Sequence, residues 1–246
     1  MANDRVYIHE FIDIRGTGRA RYMHHMTANW SPIGQKERDQ RCFGVWGTLG
    51  STGRWPQVVN MWEEKGFAGL ARNFAHETQQ RGMQDPSLRE WWVEAAKFRR
   101  GGVDRILLPA AYSPTIDELV RDGVCGDFYA HELVQVRAGA AADFLERVPE
   151  HAEPAYAVHG LRLVGAFRTA MRNDAECLLL WAIPDHEAWA RFEMAHEPGG
   201  DMRGWRDEVA PLLTDWERIL LVDAPTSTLR LGRQPAESDR RPLDEI

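Results

Sequence analysis

The sequence predicts an α+β fold built from two copies of one β-α-β-β-α-β unit along a single chain. One observation is a repeated strand, because VYIHEFIDIR at residues 6–15 returns as FYAHELVQVR at residues 128–137. In both segments apolar and polar side chains alternate, as they do in a half-buried strand. A second observation is that further segments repeat in the same order behind each strand. Such internal repetition indicates two copies of one structural unit.

The later matches place the remaining elements of each copy. FGVWGT at residues 43–48 aligns with VGAFRT at residues 164–169, and both keep a glycine, an aromatic residue and a threonine. Each segment begins a predicted pair of strands, which GSTGRWP joins in the first copy and RNDA in the second. The other matches are Pro32 with Pro154, Trp62 with Trp181, FAHE at 74–77 with MAHE at 194–197, Trp92 with Trp205, and DRILL with ERILL.

Each copy therefore contains a strand, a helix, two strands, a helix and a last strand. This order is that of the ferredoxin-like unit, which forms one antiparallel sheet with helices on one face. The other face is bare, and two such units cover it by stacking their sheets face to face around a cavity. The predicted strands lie at about residues 6–14, 42–49, 57–62, 127–136, 161–169 and 176–182, and each copy ends in RILLPA or RILLVDA.

The repeat also predicts the organisation of the chain into domains. We expect residues 1–111 to form the first unit and residues 127–223 to form the second. Residues 112–126 are the predicted linker. Residues 224–246 are rich in proline and charge, which predicts a polar tail that is disordered or wraps the surface.

The second copy also resembles a known family. The segments that carry the likeness are FYAHELVQVRAG, EPAYAVHGLRLVGAF and CLLLWAIPDHEAWARF, at residues 128–139, 153–167 and 177–192. They resemble the NIPSNAP-like family of the dimeric α/β-barrel superfamily, here in two tandem copies. The resemblance implies a pseudo-dimeric α/β barrel with a cavity between its sheets. It implies no single activity, since the superfamily includes cofactor-free monooxygenases, cyclases, isomerases, haem enzymes and proteins of unknown function.

Composition narrows the class of partner. The net charge is −7 and the pI is about 5.7, so nucleic acid and anionic membranes are not expected partners. The sequence has no long apolar run, and MANDRVYIHE lacks the apolar core of a signal peptide, which predicts a cytoplasmic protein without a membrane segment. The three cysteines form no CxxC motif or disulfide framework.

Alternation along the repeated strand selects the candidate catalytic residues. Because neighbouring side chains point to opposite faces, His9 shares a face with Tyr7 and Asp13, and not with Glu10. A neutral imidazole can act as a general base near neutral pH. We therefore predict His9 and His131 as catalytic residues, with Asp13 or Tyr7 to orient the imidazole. The alternative is that both histidines are satisfied polar residues that fix the strand register.

The same face predicts a substrate-binding wall. The tryptophan content is high for this length, and aromatic side chains either fill a core or line an apolar pocket. The glycines of FGVWGTLGSTG mark a bulged strand or leave space for a ligand beside the nearby tryptophans. The predicted substrate-binding residues are Phe11, Tyr129, Gln135, Trp46 and Trp62.

Glu10 and Glu132 fall on the opposite, helix-covered face, where an unpaired carboxylate is costly. Both copies keep a histidine at the end of the helix that follows the paired strands. We therefore predict a structural clamp in each copy, in which Glu10 pairs with His76 and Glu132 with His196. Exposure of the helix-end histidines, or a catalytic role for them, is the alternative.

No cofactor is predicted, although the nine histidines keep a metal or haem site as an alternative. His9 and His131, together with Asp13 or a glutamate, are the candidate ligands of a divalent metal. A haem would need one axial histidine, which the sequence does not identify. Adjacent histidines on a helix point about 100° apart, so His24 and His25 are a poor chelate and are expected to be exposed.

The predicted function is binding of a small, largely apolar or aromatic molecule between the sheets. We expect a cofactor-independent enzyme that carries out oxygenation, isomerisation or cyclisation with the histidine and aspartate groups of the cavity. The alternative is a non-catalytic binding or interaction protein whose interior is packed with side chains. Association of the chain with copies of itself is left open.

Overall fold

The computed structural model describes residues 3–246 of the chain. Its strands occur in the predicted order, and only the last strand of each copy begins earlier than expected. The eight strands of residues 3–246 are β1 (Val6–Ile14), β2 (Arg41–Thr48), β3 (Gln57–Glu64), β4 (Arg99–Pro109), β5 (Phe128–Val136), β6 (Arg162–Thr169), β7 (Glu176–Ile183) and β8 (Leu213–Asp223).

Helices fill the connections that the repeat assigns to them. They are α1 (Arg19–His24), α2 (Ser31–Ile33), α3 (Gly66–Thr78), α4 (Arg89–Phe98), α5 (Ile116–Arg121), α6 (Ala141–Arg147), α7 (Glu153–Ala157), α8 (His186–Ala195), α9 (Arg203–Val209) and α10 (Thr228–Leu231). Wider π-helical turns at His25–Trp30, Gly34–Arg38 and Val148–Ala152 continue α1, α2 and α6, and short 3₁₀ turns lie at Pro86–Leu88, Glu237–Asp239 and Leu243–Glu245. None of the helices within residues 3–246 has the length and apolar character of a membrane span.

The strand order confirms the predicted fold class. The strands follow one another as β1-β3-β2-β8-β5-β7-β6-β4 in a closed barrel. Within the second copy the order is fourth, first, third, second, and the first copy repeats it with β4, β1, β3 and β2. The β1/β3, β2/β3, β5/β7, β5/β8, β6/β7 and β4/β6 pairs are antiparallel. This is the arrangement of the ferredoxin-like unit.

The chain divides into two compact units. One contains residues 4–105 and 223–246, and the other contains residues 106–222 together with Asn3. The predicted linker, residues 112–126, lies inside the second unit and carries α5. A capping box fixes the start of this helix, since Thr115 accepts from the Glu118 N–H and Glu118 accepts from the Thr115 N–H.

The tail of residues 224–246 belongs to the first unit and is held there by hydrogen bonds. The Val45 N–H donates to the Ser227 hydroxyl at 3.1 Å, and the Thr228 hydroxyl donates to the Cys42 carbonyl at 2.6 Å. Gln234 donates to the same carbonyl and accepts from the Cys42 N–H, both at 2.9 Å. These bonds satisfy backbone groups of β2.

A matching irregularity in both units explains the repeated glycines. The register shifts between Cys42 and Gly44 in one copy and between Leu163 and Gly165 in the other. A Cβ on Gly44 would lie 2.0 Å from the Trp46 ring, and one on Gly165 would lie 2.4 Å from the Phe167 ring. Each glycine thus allows the aromatic ring two residues later to lie over the bulge.

Candidate functional site

The first unit places the predicted catalytic histidine on the face of β1 that the helices do not cover. Ile12 and Ile14 belong to the core that packs under α1 and α4. His9 and Phe11, at odd-numbered positions of the same strand, therefore point to the other face. The His9 side chain is fully buried, and its ring meets the Phe11 ring edge-on at 4.8 Å between centroids.

The polar neighbours predicted for His9 have partners of their own. The Tyr7 hydroxyl donates to the Glu63 carboxylate at 3.0 Å. Asp13 forms an ion pair with Arg54 at 2.7 Å and accepts from the Gln57 amide at 3.2 Å. Asp13 is also four residues from His9, roughly 13 Å along an extended strand, so it does not touch the imidazole. The structure therefore separates Asp13 from His9.

The second unit repeats the buried histidine. His131 is 1% exposed and lies in register with Leu180 on β7 and Ile219 on β8. Tyr129, two residues earlier on the same face, is also fully buried. Gln135 lies near the end of the strand, where its amide donates to Glu176 at 2.7 Å. His131 and Tyr129 are thus shielded from water on this face, while Gln135 is held at the end of the strand.

The two tryptophans predicted to bind substrate lie on opposite faces of the first sheet. Val45 belongs to the helix-side core, so its neighbour Trp46 points to the same face as His9. Met61 is the register partner of His9, and Trp62 is consequently on the helix side. The Trp62 indole donates to Glu10 at 2.8 Å. Trp46 fits the predicted wall, whereas Trp62 does not belong to it.

A network of charged and polar side chains surrounds Glu132 under the helices of the second unit. Three donors reach its carboxylate: the Tyr156 hydroxyl at 2.9 Å, the Trp181 indole at 3.2 Å and the Arg218 guanidinium at 2.8 Å. Glu132 and Arg218 are register partners on β5 and β8. We call the set of Glu132, Tyr156, Trp181, Glu193, His196 and Arg218 the Glu132 cluster.

Arg218 connects the two residues of the predicted clamp. Its guanidinium donates to the Glu193 carboxylate at 2.9 Å and to His196 Nε2 at 2.8 Å. The other ring nitrogen, Nδ1, donates to the Phe192 carbonyl at 2.8 Å. Because Nε2 accepts and Nδ1 donates, His196 is the neutral Nδ1–H tautomer. Glu132 and His196 therefore share a network but do not bond directly, which corrects the predicted pairing.

The charges of the Glu132 cluster explain its protonation. Burial disfavours the charged guanidinium, but the carboxylates of Glu132 and Glu193 outweigh it and raise the pKa of Arg218. Burial and the nearby Arg218 charge lower the pKa of His196 to about 4. His196 is therefore neutral near pH 7, and the buried carboxylate of Glu132 is balanced by a permanent cation.

The corresponding glutamate of the first unit has a different environment. Glu10 accepts from the Trp62 indole at 2.8 Å and from the Asn60 amide at 3.1 Å, and Asn60 also donates to the Tyr22 hydroxyl. We call these four residues the Glu10 cluster. Burial raises the pKa of Glu10, and the negative charge of Asp104 adds to this effect. No ion pair of Glu10 occurs within residues 3–246.

His76 does not pair with Glu10, so the clamp predicted for the first unit is corrected too. Its Nε2 lies 2.8 Å from the Asp85 carboxylate. Asp85 also accepts from both the backbone and the side chain of Ser87, and it forms an ion pair with Arg38 at 3.4 Å. The FAHE and MAHE repeats therefore keep a histidine that contacts an acidic partner in one copy and an arginine in the other.

The adjacent histidines of α1 are buried, contrary to the expectation of an exposed pair. His24 Nε2 accepts from the Arg241 N–H of the tail at 3.1 Å. His25 stacks on Trp91 at 4.8 Å, and its Nε2 donates to the Trp91 carbonyl at 3.1 Å. Burial lowers the pKa of both histidines. Within residues 3–246 no three His, Cys, Asp or Glu side chains are grouped to hold a metal ion.

The sequence signal for the missed residue was present but incomplete. Arg218 lies in ERILL, the segment that repeats DRILL of the first copy. In the fourth-first-third-second strand order the last strand lies beside the first, which brings Arg218 opposite Glu132. In the first copy the Arg105 guanidinium packs 5.5 Å from the Phe11 ring, on the other face of the sheet. The arginine that both repeats keep therefore lies on one face of the sheet in the first copy and on the opposite face in the second.

Comparisons with known proteins bear on the fold. No protein-family model matches the sequence, and the search of curated proteins found no match. A proposed monooxygenase from Fusobacterium nucleatum is structurally similar, with a TM-score of 0.58 and 9% identity; the match covers 91% of this chain and 94% of that chain. An anthrone oxidase-like protein has a TM-score of 0.57 and 10% identity, over 91% and 93% of the two chains.

The predicted relatives also occur among the similar structures. A NIPSNAP-like domain protein from Burkholderia xenovorans is 22% identical and has a TM-score of 0.36. The match covers 46% of this chain and 90% of that chain. The first two matches, each over 91% of this chain, show that it shares the fold of those two proteins, an α/β barrel of the kind that the sequence predicts.

Proposed function

We propose that the protein binds a small, largely apolar or aromatic molecule on the helix-free face of one of its units and converts it without a cofactor. The reaction would be an oxygenation, isomerisation or cyclisation. The observation that carries the proposal is the buried histidine at the middle of this face in each unit, His9 and His131. Aromatic side chains flank both, Phe11 in one unit and Tyr129 in the other.

The proposed chemistry begins with proton transfer to a neutral imidazole. The base takes a proton from an activated carbon of the substrate, and the buried position of the imidazole keeps water from the resulting carbanion. In an oxygenation, dioxygen adds at this carbon. Loss of water then leaves a carbonyl group that keeps one oxygen atom, so a CH₂ group and O₂ become a C=O group and H₂O. The histidine returns its proton to the departing oxygen.

Anthrone is the probe we choose, because one protein with this fold is described as anthrone oxidase-like. Oxygen consumption with anthrone is measured for the wild type, for His9→Gln and for His131→Gln. Loss of a general base lowers turnover by about 100-fold or more, and we expect this loss in at least one variant. The matched control is His151→Gln, since His151 is exposed. Wild-type rates in both buried variants would contradict the proposed role.

A packed, non-catalytic interior is the second candidate, and one observation favours it. Tyr7, His9 and Tyr129 expose none of their surface to water, so a ligand reaches them only if side chains move. If these residues are solely core, His9→Leu changes the unfolding midpoint, because it replaces a buried polar side chain in a packed interior. Anthrone then binds neither the wild type nor this variant.

A further inference from the structure

An open cleft on the unit of residues 106–222 has the size of a small-molecule site. It lies beside α5, α7 and the start of β6, and its volume is about 380 Å³. Apolar side chains form much of its lining, among them Leu119, Val124, Leu161 and Trp181. Small-molecule pockets have volumes of about 300–1,000 Å³ and combine apolar walls with a few polar groups. None of the predicted catalytic residues lines this cleft.

The polar group of interest in the cleft is the Glu153 carboxylate at the start of α7. Glu153 is half-buried, and within residues 3–246 it forms neither a hydrogen bond from its side chain nor an ion pair. Burial raises the pKa of Glu153. Burial also raises the pKa of Tyr112, and the charge of Glu153 adds to that increase, so the two groups lie close together. The Tyr112 hydroxyl donates elsewhere, to the Leu145 carbonyl at 2.7 Å.

The other charged residues of the cleft already have partners. The Arg162 guanidinium donates to the backbone carbonyls of Asp122 and Gly123, at 3.2 Å and 3.3 Å. The Asp122 carboxylate forms an ion pair with Arg121 at 2.8 Å. Glu153 is therefore the carboxylate of this cleft that has no counter-charge, and partial burial without a partner is costly for such a group.

We propose that this cleft binds a small primary amine with an aromatic or aliphatic body. The ammonium group donates to the Glu153 carboxylate, and the body packs against Leu119, Leu161 and Trp181. A charge-assisted hydrogen bond of this kind satisfies the carboxylate and fixes the orientation of the ligand. The apolar body also removes from water the exposed surface of Pro114, Ala157 and Leu163, which lie in the same lining.

Phenethylamine is the probe, because it combines an ammonium group with one aromatic ring. Its binding to the full-length chain is measured by isothermal titration calorimetry at neutral pH. Phenylacetate, which has the same ring and an opposite charge, is the matched ligand control. We expect phenethylamine to bind at least about tenfold more tightly than phenylacetate, since only the cation pairs with Glu153.

Two variants test where the amine binds. Glu153→Gln keeps the shape of the side chain and removes its charge, and it should weaken phenethylamine binding by about tenfold or more. The matched control is Glu150→Gln, an exposed carboxylate one turn earlier, which should bind as the wild type does. Ala157→Phe narrows the cleft without altering Glu153, and it should also abolish binding.

Any of four outcomes would overturn the proposal. Phenethylamine fails to bind the wild type, phenylacetate binds as tightly as phenethylamine, or Glu153→Gln and Ala157→Phe both retain wild-type affinity. Loss of binding in Ala157→Phe alone also contradicts the role of Glu153. Circular dichroism of each variant shows whether it is folded. If Glu153→Gln does not fold, a folded Ala157→Phe still tests whether the amine binds in this cleft.

Discussion

Glu10 and Glu132 occupy the same position of the repeated strand, yet the two carboxylates have different neighbours. Glu132 accepts from Arg218, whereas the side-chain donors to Glu10 within residues 3–246 are the neutral groups of Trp62 and Asn60. Arg218 gives Glu132 a buried counter-charge, whereas burial raises the pKa of Glu10 and the charge of Asp104 adds to that increase. The same buried glutamate therefore has a cationic partner in the second copy and neutral hydrogen-bond donors in the first.

This difference predicts that the same substitution lowers the free energy of unfolding by different amounts at the two positions. Glu132→Gln leaves Arg218 without its main buried counter-charge and should lower the free energy of unfolding by about 3 kcal/mol. Glu10→Gln keeps an acceptor for Trp62 and Asn60 and should change it by less than about 1 kcal/mol. Urea unfolding followed by tryptophan fluorescence measures both. Equal losses in the two variants would refute the asymmetry.

The same asymmetry predicts a dependence on pH. Because the pKa of Glu10 is raised in the folded chain, the folded state binds this proton more tightly than the unfolded state does. Its contribution to stability is present at low pH and is lost as pH rises through the raised pKa. The wild type should therefore lose stability relative to Glu10→Gln as pH rises above 4.5, the ordinary pKa of a glutamate. Parallel curves for the two proteins would contradict this prediction.

At the scale of single elements, the bulges of β2 and β6 each require a glycine, because an aromatic ring occupies the space of its missing side chain. Gly44→Ala and Gly165→Ala place a methyl group inside the aromatic ring that covers each bulge. We expect each substitution to cost about 1–3 kcal/mol, the usual range for overpacking. Thermal unfolding measures the loss. Gly204→Ala is the matched control, since that helical glycine has open space around its Cα and should gain about 0.5–1 kcal/mol.

The tail is the element whose attachment should respond to pH. The Arg241 N–H donates to a neutral His24, and burial lowers the pKa of His24 while the Asp239 charge opposes this. Attachment is complete above the ordinary histidine pKa and declines as pH falls through the lowered one. The protection factors of residues 236–246, which correct hydrogen exchange for its intrinsic dependence on pH, should therefore fall on acidification in the wild type. His24→Gln keeps an acceptor that does not titrate, so its tail should stay protected; equal exchange in both would contradict the account.

Strand positions were predictable because period-two alternation and the repeat both report them. The side of the sheet was predictable too, since Glu10 and His9 fall on opposite faces of β1. The partners of these residues were not. Asp85 and Arg218 are remote in sequence from His76 and Glu132, and only the observed strand order and loop path bring them into contact. The burial of His24 likewise depends on the tail, and no sequence pattern predicts where the tail packs.

For the whole molecule, duplication provides two helix-free faces, each with one buried histidine. Divergence of the two copies has already changed the Glu10 and Glu132 clusters while it kept His9 and His131. The central claim is that at least one of these histidines contacts an apolar ligand.

The most direct test is a ¹H–¹⁵N NMR titration of the histidine side chains with anthrone, with each resonance assigned by a His→Gln variant. The account predicts saturable shifts of His9 or His131, while the exposed His151 and His186 keep their positions. Shifts confined to exposed histidines, or none at all in the presence of excess anthrone, would contradict the claim and favour a packed interior.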